Sequence, residues 1–171
     1  MSASAFPQPA LRPYLSSDLA SLYEIRLAAI DELTVEDYDE AQREAWLSRC
    51  ADEEALGQTL ERELTLIALI EGSPVGFISL KNGQLIDQLY VEPAVARRGV
   101  ASALLDAIEK LSAARGAAAL LVDASDTAKP FFDARGFSAV HRNTIEIDGI
   151  WLGNTHMSKT LPPISLPVAK P

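Results

Sequence analysis

A strand, a short loop and a long amphipathic helix follow one another between residues 84 and 116 (QLIDQLYVEPAVARRGVASALLDAIEKLSAARG). No other stretch limits the fold so strongly. Leu85, Ile86, Leu89 and Val91 nearly alternate with polar residues, the pattern of a largely buried strand, and Pro93 ends it. After the loop, Val100, Leu104, Leu105, Ile108 and Leu111 form one helical stripe, and Gly116 closes the helix. The first turn of that helix holds Gly99, Val100, Ala101, Ser102 and Ala103, with no carboxylate before Asp106. Helix N-termini favour Asp or Glu, because free N–H groups and the dipole attract negative charge. Here the acid is missing, the side chains are small, and Arg97 and Arg98 stand immediately upstream. Open backbone donors, close approach through Gly99 and adjacent cations are what an external anion requires. An ordinary tight strand–helix turn with two solvated arginines is the alternative reading. A dinucleotide-binding G-x-G-x-x-G is absent, as is the nucleotide-binding G-x-x-x-x-G-K-S/T.

The same residues resemble the acetyl-CoA motif of the GCN5-related N-acetyltransferases (GNAT), Q/R-x-x-G-x-G/A. Ala96-Arg97-Arg98-Gly99-Val100-Ala101 occupies it, with Ala96 in place of the opening Gln or Arg. Its position after "LYVEP" and before "ASALL" makes the match more specific. A second segment, from Ser125 through Ala128, Phe131 and Phe132 to Gly136-Phe137, is similar to the family's N-x-x-A-x-x-x-Y-x-x-x-G-F. Ser125 stands for the usual cofactor-touching Asn. Phe132 stands for the Tyr that in many members protonates the leaving thiolate, and a phenyl ring has no proton to give.

The resemblance covers about residues 10–160. It implies an α/β (α+β) fold: a mixed, mainly antiparallel sheet of six to seven strands, flanked by about four helices. It also implies transfer of acetyl from acetyl-CoA to a primary amine by direct attack, with no metal. Backbone groups of Leu89, Tyr90 and Val91 would pair with the pantetheine like an added strand. Arg97, Arg98, Gly99, Val100, Ala101 and Ser102 would hold the pyrophosphate, and Ser125, Lys129 and Phe132 would touch the cofactor. Asp87 and Tyr90 are the ionisable side chains of the central strand, and a carboxylate in an apolar strand needs a reason. Asp87 is therefore the candidate base that deprotonates the amine, directly or through water, with Tyr90 as the alternative. Asp87 pointing to solvent or pairing with a cation is the competing explanation. Ala96 and Phe132 also leave room for a non-catalytic acyl-CoA-binding module, and an acidic interaction protein without cofactor is a third reading.

Composition narrows the expected partners. A net charge of −9 over 171 residues disfavours nucleic acid and is compatible with cationic or neutral small acceptors. Cys50 is the only cysteine, so no intrachain disulfide forms, and His141 and His156 show no metal-ligand spacing. No signal-peptide core or membrane-length run is visible, so a cytoplasmic protein is expected, as monomer or homodimer.

Residues 1–8 read as a flexible lead, residues 9–160 as one domain, and residues 161–171, with four prolines, as an extended disordered tail. An edge strand is expected over 10–15, because Pro13 cannot donate to a ladder, then a helix capped at Ser16, Ser17 or Asp18 and running to Leu33. A second helix is expected from Thr34, with Asp37 completing a capping box, to about Cys50, then a connector over 51–58. Seven carboxylates between Asp31 and Glu44 face Arg43 alone. They read as a solvated helix face, or, through the resemblance, as an acidic rim which with Tyr38 and Trp46 suits a cationic amine. Strands are expected over 64–70, 75–80 and 84–91, with Asn82-Gly83 as a hairpin, and over 118–123 after the crossover helix. A helix over 125–135 and a final hairpin over 139–159 around Asp148-Gly149 complete the chain, with Trp151, Asn154 and His156 as possible pocket residues.

Overall fold

A computed structural model describes residues 5–163; the ends of the expected N-terminal lead and Pro-rich tail lie outside them. Seven strands form one sheet in the order β1-β2-β3-β4-β5-β7-β6. They are β1 Ala10–Pro13, β2 Leu64–Ile70, β3 Ser73–Lys81, β4 Leu85–Val91, β5 Ala119–Ser125, β6 Ser138–Ile147 and β7 Ile150–Thr160. Five helices accompany them: α1 Leu19–Leu33, α2 Glu40–Cys50, α3 Glu53–Arg62, α4 Val100–Ala114 and α5 Lys129–Ala134. β1 lies on the sheet edge, where Pro13 costs no interior hydrogen bond. Every neighbouring pair is antiparallel except β4–β5, which α4 joins as a crossover. Glu71-Gly72, Asn82-Gly83 and Asp148-Gly149 all take positive φ at both residues, the geometry that tight hairpins need.

The two faces of the sheet carry separate cores. Ile67 and Phe77 pack with Leu22 and Ile25 of α1 and Leu56 and Leu60 of α3. Ile78, Leu80, Ile86 and Leu120 pack on the opposite face with Leu104, Leu105 and Ile108 of α4 and Phe132 of α5. Alternation along β2 and β3 thus divides their apolar residues between two helical layers.

Four local expectations are corrected. α2 begins at Glu40, not Thr34, because Asp39 accepts from the Gln42 N–H and Gln42 Oε1 from the Asp39 N–H. Thr34 instead ends α1, its hydroxyl donating to the Ile30 carbonyl at 2.5 Å. The expected connector is largely helix α3, capped by Asp52. Its Gly57 hides it from a propensity reading, yet a Cβ there would lie 2.8 Å from Leu19 Cδ2, so any side chain at this position would have to push the Leu19 methyl aside. β5 continues to Ser125, leaving α5 only six residues. Leu161, which composition assigns to the tail, is buried, and its N–H donates to the Ala118 carbonyl.

Candidate active site

The centre of the sheet is poorly closed. β4 and β5 share only the register pairs Leu85↔Leu121 and Ile86↔Val122. Across β3, Ser79 faces Gln88 while Leu80 faces Ile86, so Asp87 is an extra residue on β4, a β-bulge. Beyond the bulge β4 has no partner on its β5 side. A cavity of about 510 Å³ opens there, bounded by β4, β5, β7 and the facing helices α1 and α2.

Of the residues singled out by sequence, Asp87, Leu89, Tyr90, Ser125 and Phe132 line this cavity. Asp87 is exposed and accepts from Gln88 Nε2 at 3.1 Å. Nearby, burial raises the Glu63 carboxyl above its usual range; the Ser79 hydroxyl, donating at 2.6 Å, opposes this, and Asp87 adds to it. Tyr90 stacks at a tilt on Phe77, ring centroids 5.7 Å apart, and its hydroxyl is strongly raised by burial, with Cys50 adding and Arg26 opposing. At neutral pH it is a phenol donor rather than a base. Ser125 Oγ accepts from the Ala128 N–H at 3.1 Å. Phe132 is 1% exposed and meets Phe131 and Phe137 edge-on, so its ring belongs to the core as well as to the cavity wall.

Val91 and the Arg97–Ser102 turn lie outside the cavity lining, as does Lys129, which pairs with Asp133. In the turn, Arg97 and Gly99 both have positive φ, Gly99 caps α4, and α4 carries no acid in its first turn. A Cβ on Gly99 would meet nothing within 4 Å, so the approach to the α4 N–H groups is open. Arg97 and Arg98 are exposed, Arg98 lying 5.0 Å over the Phe6 ring, whereas the Val100 side chain is buried and leaves only its backbone available.

All seven carboxylates of the acidic stretch are exposed and none lines the cavity, whereas Tyr38 and Trp46 do. Tyr38 is a strut: its hydroxyl donates to the Gly153 carbonyl at 2.7 Å and accepts from the Asp126 N–H at 2.9 Å. It meets Trp46 edge-on at 5.5 Å. Asn154 also lines the cavity, while Trp151 is 56% exposed. His156 reaches the wall through Asp123, with Nδ1 2.7 Å from Oδ1.

Sequence reasoning passed over Arg26, Arg49, Gln88 and Asp123, all of which line the cavity. Arg26 is the informative omission. It sits on the buried stripe of α1 between Leu22, Ile25, Ala29 and Ile30, where a cation has no ordinary place. That spacing was the available signal. Cys50 also lines the cavity, and burial raises its thiol. Among the described residues no group of three or more His, Cys, Asp or Glu is placed to hold a metal, and no helix is long and apolar enough to cross a membrane.

Residues 34–161 match the family model of an acetyltransferase (GNAT) domain. The chain is 37% identical over 147 residues to an uncharacterised N-acetyltransferase, YafP, of Escherichia coli (strain K12), covering 86% of this chain and 93% of that protein. It is 50% identical to a crystal structure described as a GCN5-related N-acetyltransferase, "Aminotransferase, Class-II", from Rhodopseudomonas palustris, with TM-score 0.88 over 93% of this chain and 99% of the other. At 20% identity, the PaiA N-acetyltransferase of Thermoplasma acidophilum, solved with coenzyme A, shares the fold, with TM-score 0.73 over 90% of this chain and 99% of the other.

Proposed function

The chain belongs to the GNAT acetyltransferase family, and from that membership we propose that it moves acetyl from acetyl-CoA to a primary amine of a small-molecule or peptide acceptor at the β4–β5 opening. The observation that carries this reading is the unpartnered β4 edge beside the bulge, which borders a cavity holding a carboxylate. Leu89, Tyr90 and Val91 offer backbone groups to an extended pantetheine, as an edge strand offers them to a peptide. The Arg97–Ser102 turn takes the pyrophosphate on the free N–H groups of α4, with two arginines alongside and no acid to repel it.

Acetyl-CoA supplies an activated acyl carbon, and the chain's own groups must deliver a neutral amine to it. Asp87 on the cavity wall takes the ammonium proton, directly or through a water. A backbone N–H of β4 directed at the acyl oxygen stabilises the charge that develops there. The buried Phe132 ring has no proton to offer the departing thiolate, so the leaving group departs without help from this position. Acetyl-CoA is an intracellular metabolite, which supports a cytoplasmic setting for this reaction.

Steady-state release of free CoA thiol across a panel of amines tests the proposal. Saturable, amine-dependent release is expected. Tight acetyl-CoA binding with no turnover on any amine would make the chain a binding module instead.

A further inference from the structure

Arg26 is 7% exposed on α1, yet it lines the cavity. A guanidinium keeps its charge in a protein and cannot escape burial by losing a proton. Removing that charge from water is costly unless it is paired and fully hydrogen-bonded. Here the compensation is incomplete. Nη2 donates to the Cys50 carbonyl at 2.6 Å, at the C-terminal residue of α2, where the helix dipole offsets part of the charge. Nε has no partner, and among the described residues Arg26 forms no ion pair. Arg26, a residue of the cavity wall, is therefore a buried cation with an unpaired N–H and no counter-anion. Gln88 Oε1 is a second unpaired buried atom on the same cavity, an acceptor, with Asp87 beside it.

We propose that Arg26 binds a carboxylate of the acceptor, so that the amine substrate is of amino-acid type, carrying its own anionic group. The planar guanidinium fork matches a carboxylate, and Asp87 with Gln88 Oε1 suits the ammonium end of the same molecule. Arg49, the other cation among the lining residues, is exposed and can only assist at the cavity mouth. The exposed acidic stretch, which made a cationic acceptor attractive, lies outside this site. The inference rests on the acetyltransferase reading and narrows its substrate class.

The test uses the full chain, acetyl-CoA and a panel of amino acids, each paired with its C-terminal amide, together with simple amines lacking a carboxylate. In the wild type, at least one amino acid should exceed its amide more than tenfold in kcat/KM. Arg26→Gln should bring that ratio close to one, and Arg26→Lys, which keeps the charge without the fork, should leave an intermediate ratio. Amides or simple amines used as well as the acids would overturn the inference, and so would a ratio that survives Arg26→Gln. Should Arg26→Gln fail to fold, the wild-type ratio and Arg26→Lys decide. If no amine of any kind is acetylated, the acetyltransferase reading fails by itself. Calorimetry of the wild type with acids and amides then decides the role of Arg26, with tighter binding of acids supporting it and equal binding refuting it.

Discussion

The two sides of β5 are paired to different degrees. Towards β7 the ladder runs unbroken from Ala119↔Thr160 to Ser125↔Asn154, and β7 continues the pairing along β6 from Ser138↔Ser158 to Ile147↔Ile150. Towards β4 it stops after two register pairs. Backbone N–H and C=O groups inside a fold must find partners, so an opening in the middle of a sheet has to be filled by water or by a ligand. The more continuously paired half supplies rigidity, and the opening supplies the place where chemistry can occur. Polar groups are distributed in the same way. Tyr38 is satisfied on both sides of its hydroxyl by the firm half, whereas Arg26 and Gln88 carry unpaired atoms at the opening.

Phe132 belongs to both regions, and Phe132→Ala should break the contrast most severely. Removing a fully buried ring from the α4–α5 core should cost about 3–5 kcal/mol in urea denaturation. A loss under about 1 kcal/mol would mean the ring contributes little to packing. Asp87→Asn comes next, and it should separate chemistry from architecture. It keeps the shape of the bulge, so acetyl-CoA affinity should barely change while kcat falls on the order of a hundredfold. An unchanged kcat and pH profile would remove Asp87 from the mechanism.

Gly99→Asp puts an anion at the α4 N-terminus, and acetyl-CoA affinity should fall at least tenfold, about 1.4 kcal/mol, by calorimetry. Because Gly99 has φ of 89°, Gly99→Ala is the control for backbone strain alone. It meets no neighbour within 4 Å and should retain most of the affinity. Equal losses in the two variants would attribute the effect to strain and not to the anion site.

The smallest effect belongs to Glu63. Its folded pKa is raised from 4.5, chiefly by burial, so its contribution to stability is present at low pH and is lost as pH rises through the folded value. Glu63→Gln should flatten the decline of Tm above that starting value. A steeper decline in the variant would reverse the sign assigned to this carboxyl.

The firm half was largely legible in the chain, because period-two alternation and positive-φ turn pairs such as Asp148-Gly149 are local signals. α4 was legible for the same reason: its apolar stripe and bare N-terminus need no tertiary information. The opening was not. α3 was obscured by Gly57, whose closeness to Leu19 only the fold creates. Thr34 and Asp37 have the spacing of a capping box, but Asp39 and Gln42 form it. Arg26 escaped notice because a reading of apolar periodicity passes over a cation in the stripe. Its meaning appears only when Cys50 and β4 are brought against α1.

A crystal structure of the chain with acetyl-CoA tests the central claim most directly, since it shows where the cofactor lies relative to the β4–β5 opening. The account predicts pantetheine hydrogen-bonded to the backbone of Leu89, Tyr90 and Val91, the pyrophosphate on the Arg97–Ser102 turn, and the acyl carbon facing Asp87. Acetyl-CoA bound elsewhere, with the β4 edge left to water, would contradict it.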